Sequence, residues 1–191
     1  MFKIKYFLQT FSFTFLAYMT LWFVWATSIG LPGSQYDGSL VFLPHAARVI
    51  CTCIFGLYAI PAIILADFIG LEFFTSIPDV SSLSSLGLIV FKAFTVYLSL
   101  LALKLFGFSF NYSKGEVLLN RSNYRHIGLI TILSAFINGV FGNALKQVFQ
   151  MVDIPLWTIF RYVVGDILGT LVVFAVSVLA MSIYKDLVNR L

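Results

Sequence analysis

Four charged residues stand inside long apolar runs of this sequence: Arg48 in "FLPHAARVI", Asp67 in "IILADFIG", and Arg161 with Asp166 in "FRYVVGDILGT". Guanidinium and carboxylate groups in such surroundings can pair across helices, hold a ligand or ion of opposite sign, or form part of a proton or ion path. His45 precedes Arg48 by three residues and Thr52 follows it by four, which sets all three on one face of a helix. Asn138 and Asn143, in "AFINGVFGNALKQ", add amides of the kind that cross-link helices or line a cavity, and Gly139 shares a face with Asn143. The candidate site is therefore His45, Arg48, Thr52, Asp67, Asn138, Asn143, Arg161 and Asp166. It is either a ligand-binding site or a set of buried ion pairs.

What these charges cost depends on the solvent around them. Apolar residues make up 60% of the 191 positions and charged residues 10%, with a mean hydropathy of +0.98. A soluble domain carries about 25% charge. The composition predicts an all-α integral membrane protein whose surroundings are a lipid bilayer, with residues 1–191 forming a single multi-pass domain. The net charge of +4 is scattered, so no basic stripe suggests nucleic acid. Cys51 and Cys53 are the only cysteines, too few for a disulfide framework or a zinc site, and they read as small buried residues.

About six spans follow from the apolar runs. The first is Tyr6 to Gly30, too long for the apolar core of a cleaved signal peptide, ending at the turn chemistry of "LPGSQYDG". Residues 40–74 stay apolar for about twice the length that one span needs. Gly56 and Pro61 interrupt them, which predicts two short, tightly linked spans over 40–55 and 58–74, with a single bent or re-entrant segment as the alternative. The remaining spans are expected over 87–108, 127–149 and 155–184. Lys3, Lys5, Lys104, Lys114, Arg121, Arg125, Lys185 and Arg190 then share one side, which the positive-inside rule makes cytoplasmic together with both termini. Asp37, Asp79 and Asp153 lie in the opposite loops, with Lys92 and Lys146 near helix ends, where they can snorkel.

Depth follows from the rise of a helix. Arg48 lies roughly 12 Å and Arg161 roughly 9 Å below the outer ends of their helices, slightly above Asp67 and Asp166. An unpaired charge at such depth costs about 2.5–3.5 kcal/mol or more, so these groups should face the interior. Arg48 with Asp166 or Asp67, and Arg161 with Asp67, are the expected pairs. A ligand pocket would instead use an arginine to hold a small anionic group from the outer side. Gly165 and Gly169 bracket Asp166 and predict a close helix contact there. Tyr18, Trp22, Phe23 and Trp25, and likewise Trp157 and Phe160, are expected in interfacial aromatic belts, and Glu72 near a helix end.

Enzymatic signatures are missing: no G-x-S-x-G, H-E-x-x-H or phosphate-binding glycine loop occurs, and no serine has an evident histidine partner in the sequence. The aspartates lack the context of an intramembrane aspartyl enzyme, and His45 has no second ligand for a metal. No cofactor, metal or catalytic residue is expected.

The stretch "FLPHAARVICTCIFGLYAIPAIILADFIG" resembles part of the bacterial membrane-associated sensor domain of the first type, through Pro44, Gly56, Pro61 and Gly70. "RYVVGDILGTLVVF" is similar to that family's late Gly-Asp-x-x-Gly helix, through Gly165, Asp166 and Gly169. The resemblance implies a sensor-like module of a bacterial inner (plasma) membrane whose output passes through a protein partner. The 109–126 segment, expected as a cytoplasmic loop, is the candidate docking surface. The architecture is also similar to substrate-binding components of energy-coupling-factor transporters, which implies capture of a small ligand for an ATPase partner. A structural subunit locked by its ion pairs is the third expectation.

Overall fold

The computed structural model describes residues 2–28, 39–75, 80–108, 121–151 and 153–188. Asp37, Asp79, Lys114, Arg190 and residues 109–120 of the expected docking loop lie outside them. The described residues form helices α1 (Phe2–Ser28), α2 (Pro44–Phe55), α3 (Ile60–Phe74), α4 (Leu83–Leu105), α5 (Arg121–Phe136), α6 (Asn143–Gln150) and α7 (Leu156–Val188), with no strand among them. Residues 121–126 of that loop are thus the first turns of α5, a correction to the expected span boundary.

A 3-10 turn, Gly56–Ala59, joins α2 to α3, and a π-helical turn, Ile137–Gly142, joins α5 to α6. Five helical stretches are long and apolar enough to cross a membrane: Ile4–Ser28, Pro44–Phe74, Leu83–Leu105, Arg125–Gln150 and Leu156–Val188. The second of these is folded back on itself. Arg48 and Asp67 are in contact at 2.9 Å, yet in a straight helix 19 residues would separate them by about 28 Å.

The corner is built where local chemistry allows it. Pro44 starts α2 at a position whose N–H would have no helical partner. Gly56 ends α2 with φ 59°, a left-handed conformation open to glycine, and Pro61 sits in the first turn of α3.

Helix α1 runs along both limbs of this hairpin and reports its depth. Tyr6 meets Tyr58 at the corner with ring centroids 5.7 Å apart, Phe13 meets Phe55 at 5.8 Å, and Trp22 meets Phe42 at 5.4 Å and Phe74 at 6.2 Å. Sixteen residues of α1 separate Tyr6 from Trp22, so the hairpin is about 24 Å deep. Tyr18, Trp22, Ala47, Cys51, Ile63 and Ala66 form the core between α1 and the two limbs. Tyr18 and Trp22 are fully or almost fully buried, which corrects their assignment to an interfacial belt. The Trp22 ring lies where Gly70 leaves room for it. Trp157 and Phe160 are exposed and stacked at 5.5 Å, as lipid-facing or interfacial aromatics would be.

On the other side of α2, Val49 and Cys53 pack with Val96, Leu103, Ile127 and Ile130 from α4 and α5. Helix α7 is seated through its glycines. A Cβ at Gly165 or Gly169 would collide with the backbone of Ser39 or Phe42, and Phe42 N–H donates to Gly165 O at 2.9 Å. The close contact expected beside Asp166 is present, but the partner is this extended segment rather than a helix.

Candidate functional site

The hairpin brings Arg48 on α2 opposite Asp67 on α3, and α1 closes the group from the side. Arg48 Nη2 donates to Asp67 Oδ2 at 2.9 Å and to the Tyr18 hydroxyl at 2.7 Å, and that hydroxyl donates to Asp67 Oδ1 at 2.8 Å. Tyr18 also presents its ring to the guanidinium, 5.9 Å from the ring centre. Arg48 is 1% exposed and Asp67 3% exposed, so the triangle is sealed from solvent. Of the expected pairs, Arg48 with Asp67 is formed at hydrogen-bond distance.

Asp166 has other neighbours. Asn138 Nδ2 donates to its Oδ2 at 2.6 Å, and His45 Nδ1 stands 3.5 Å from the same oxygen. The Thr170 hydroxyl donates to the Asp166 carbonyl at 2.8 Å, one turn along α7. The π-helical turn at Ile137–Gly142 contains Asn138, and Gly139 beside it lets α7 approach, because a side chain there would meet Val163. Such wide turns recur at functional sites. Asn143 takes no part in this group: its amide donates to Gly139 O on its own helix. Thr52 is buried on the Arg48 face of α2, and its hydroxyl lacks a hydrogen-bond partner. Arg161 is half-buried on α7, ahead of Asp166.

Two contributors escaped the sequence. Tyr18 supplies the hydroxyl that links Arg48 to Asp67. Ser134 supplies the oxygen that faces His45 Nε2 at 3.1 Å, which overturns the expectation that no serine has a histidine partner. Ser134, His45 and Asp166 thus stand in the order of a Ser-His-Asp relay. Ser134 is fully buried, however, and its hydroxyl donates to Thr131 O at 3.1 Å on its own helix. In this arrangement His45 ties α2 to α5 through Ser134, while its Nδ1 stands beside Asp166 without a hydrogen bond. The relay's helical spacing was legible, since Ser134 is one turn from Asn138, but nothing in the sequence set α5 beside His45.

Lys92 is the second correction. It sits mid-way along α4 rather than near an end, half-buried, with its ammonium 5.7 Å from the centre of the Tyr162 ring. It is close enough to feel the charges of Asp67, Arg48, Lys146 and Asp166. Cys51 and Cys53 are buried and unpaired with each other, as expected. Among the described residues no group of three or more metal-ligating side chains occurs.

Several polar atoms of this interior have no hydrogen-bond partner: Nε and Nη1 of Arg48, Nδ1 of His45 and Oδ1 of Asn138. They supply donors on α2 and an acceptor on the π-helical turn. Comparison with protein-family models, with curated proteins and with solved structures gives no match to this chain.

Proposed function

We propose that this is a plasma-membrane protein that crosses the bilayer six times, with both termini cytoplasmic, and binds a small polar ligand inside its helical bundle. It acts as a sensor-like or substrate-capturing module and passes its state to a protein partner, for which the 109–126 segment is the candidate surface. The crossing count is supported by the fold-back at Gly56: limbs of 12 and 15 residues, about 18 and 22 Å long, lie along the stretch of α1 from Tyr6 to Trp22, about 24 Å, most of the roughly 30 Å of a hydrocarbon core. The orientation is supported by the helix ends. Lys5, Lys104, Arg125 and Lys185 all belong to the end of the bundle that holds the hairpin corner, and cytoplasmic flanks carry such an excess.

The observation that carries the binding reading is Arg48. A buried donor left without an acceptor costs about 1–3 kcal/mol, more when charged. This guanidinium keeps Nε and Nη1 unshared while its Nη2 serves two partners. A ligand with acceptor atoms would satisfy them, and Asn138 Oδ1 would take a donor from the same ligand.

The direct Arg48–Asp67 contact favours a second reading, in which the charges only lock α2, α3 and α1 together. Thermal unfolding of the purified protein in detergent separates the two. A panel of small metabolites of all charge types is scanned against wild type, Arg48→Lys and Arg161→Ala. Under the binding reading one compound raises the wild-type transition, and a variant that still folds loses the effect. If no compound acts, and Arg48→Met combined with Asp67→Leu is as stable as wild type, the cluster is a lock and the binding reading fails.

A further inference from the structure

We infer that His45 and Asp166 form a proton-binding site, which takes one exchangeable proton between His45 Nδ1 and Asp166 Oδ2 and releases it again. The site is distinct from the Arg48 triangle and does not rest on the ligand-binding reading.

The donors and acceptors around His45 lead there. The Ser134 hydroxyl has one proton and donates it to Thr131 O at 3.1 Å, so its oxygen, 3.1 Å from His45 Nε2, is left to accept from that nitrogen. A neutral imidazole with its proton on Nε2 keeps a lone pair on Nδ1. That lone pair faces Asp166 Oδ2 at 3.5 Å, and Nδ1 has no hydrogen-bond partner. A protonated nitrogen closes on a carboxylate to about 2.7–2.9 Å. The wider gap is that of two acceptors.

The shortage of donors extends to Asn138. Its amide nitrogen donates to Asp166 Oδ2 at 2.6 Å, and its Oδ1 has no partner. Three acceptors thus surround one amide donor at a contact where His45 is 0% and Asp166 1% exposed. Buried acceptors without donors are costly, and a carboxylate without a cation inside a membrane is more so. One proton from an acid of the medium corrects both. Taken up by Nδ1, which is more basic than a carboxylate in water, it makes an imidazolium that donates to Asp166. Two facing acceptors become a charge-assisted hydrogen bond from α2 to α7, and loss of the proton to a base of the medium parts them again.

The charges that act on the pair come from several elements. Arg48 lies one turn along α2, Asp67 on α3 and Lys92 on α4 act across the interior, and Arg161 stands five residues ahead of Asp166 on α7. Helix α1 contributes the Tyr18 hydroxyl, held by Arg48 and Asp67. Helix α5 and the π-helical turn contribute the uncharged Ser134 and Asn138, and the Ser39–Phe42 segment brings no charge. Lys92 can titrate too, so the test reads the nitrogens of His45 themselves.

The full chain is purified in detergent without a polyhistidine tag, and His126→Gln leaves His45 its only imidazole. NMR of isotopically labelled histidine nitrogens tells a bare ring nitrogen from a protonated one, and it is followed from about pH 8 down to about pH 5. Nε2 should carry a proton throughout, while Nδ1 goes from bare to protonated in one step. Asp166→Asn should weaken proton binding about 10-fold or more, by removing the charge that the imidazolium faces. Asn138→Ala, which takes the amide donor from Oδ2, should strengthen it about 10-fold. Should Asp166→Asn not fold, the opposite sign of Asn138→Ala carries the comparison. A proton on Nδ1 with Nε2 bare at every pH is the Ser-His-Asp relay tautomer and overturns the site, as does Nδ1 bare at every pH. A gradual drift of both nitrogens marks a titrating neighbour such as Lys92 and overturns it equally. A step with the same midpoint in both variants as in their parent removes Asp166 from the site and with it the inference.

Discussion

At Arg48 one nitrogen serves two acceptors, and both acceptors also serve each other through the Tyr18 hydroxyl. Removing one of its two charged corners therefore strands the other charge, whereas removing both does not. Arg48→Ala should cost about 3–5 kcal/mol, because Asp67 is left buried without its cation. Tyr18→Phe keeps the ion pair and should cost about 1.5–3 kcal/mol, the worth of a hydrogen bond to charged partners. Equilibrium unfolding in mixed micelles reads both values, and equal losses for the two variants would contradict the described geometry. The His45 relay makes a different demand. Because Ser134 is buried and gives its proton to Thr131 O, a fluorophosphonate probe should leave the native protein unlabelled. Labelling that disappears in Ser134→Ala would show instead that the relay opens and that the serine is a nucleophile.

The elements hold these residues through close backbone approaches that only glycine permits. Gly165 and Gly169 receive the Ser39–Phe42 segment, which closes the bundle above His45. Gly169→Ala sets a methyl group against the Phe42 backbone, which cannot yield as a side-chain tip would, and should cost about 1–3 kcal/mol. Displacing that segment should loosen the start of α2, so maleimide should reach Cys51 faster than in wild type, where it is 1% exposed. Gly139→Ala disturbs α7 at Val163 instead and should leave the Cys51 rate near wild type. The hairpin corner was legible in the sequence because Gly56 and Pro61 act through their own backbones. The segment that fills the glycine groove was not legible. A stretch this short has no period, and on α7 it meets the bare backbone of Gly165 and Gly169 rather than a side chain. Tyr18 and Trp22 misled for a related reason: α1 is apolar on nearly every face, so nothing in its pattern said which side turns inward. Depth and composition placed Arg48, Asp67 and Asp166 in the interior, but the choice of Asp67 over Asp166 depended on the angle between limbs.

At the scale of the molecule, the fold-back at Gly56 decides how often the chain crosses the bilayer and where its charges end up. If 44–74 crossed once, the Tyr58 corner would sit near mid-membrane, and α1 and α7 would place Lys5 and Lys185 on opposite sides. With the limbs folded back, the corner lies at the level of Tyr6, and Lys5, Lys104, Arg125 and Lys185 gather on one side, the arrangement that positive flanking charge favours. Single-cysteine labelling distinguishes the two, starting from a chain with Cys51→Ala and Cys53→Ala. Tyr58→Cys, at a half-exposed position, should react with an impermeant maleimide from the same face as Lys185→Cys. Phe73→Cys and Leu83→Cys, both well exposed, should react from the opposite face. A Tyr58→Cys thiol unreactive from either side, with Lys5→Cys and Lys185→Cys on different faces, would remove the six-crossing topology.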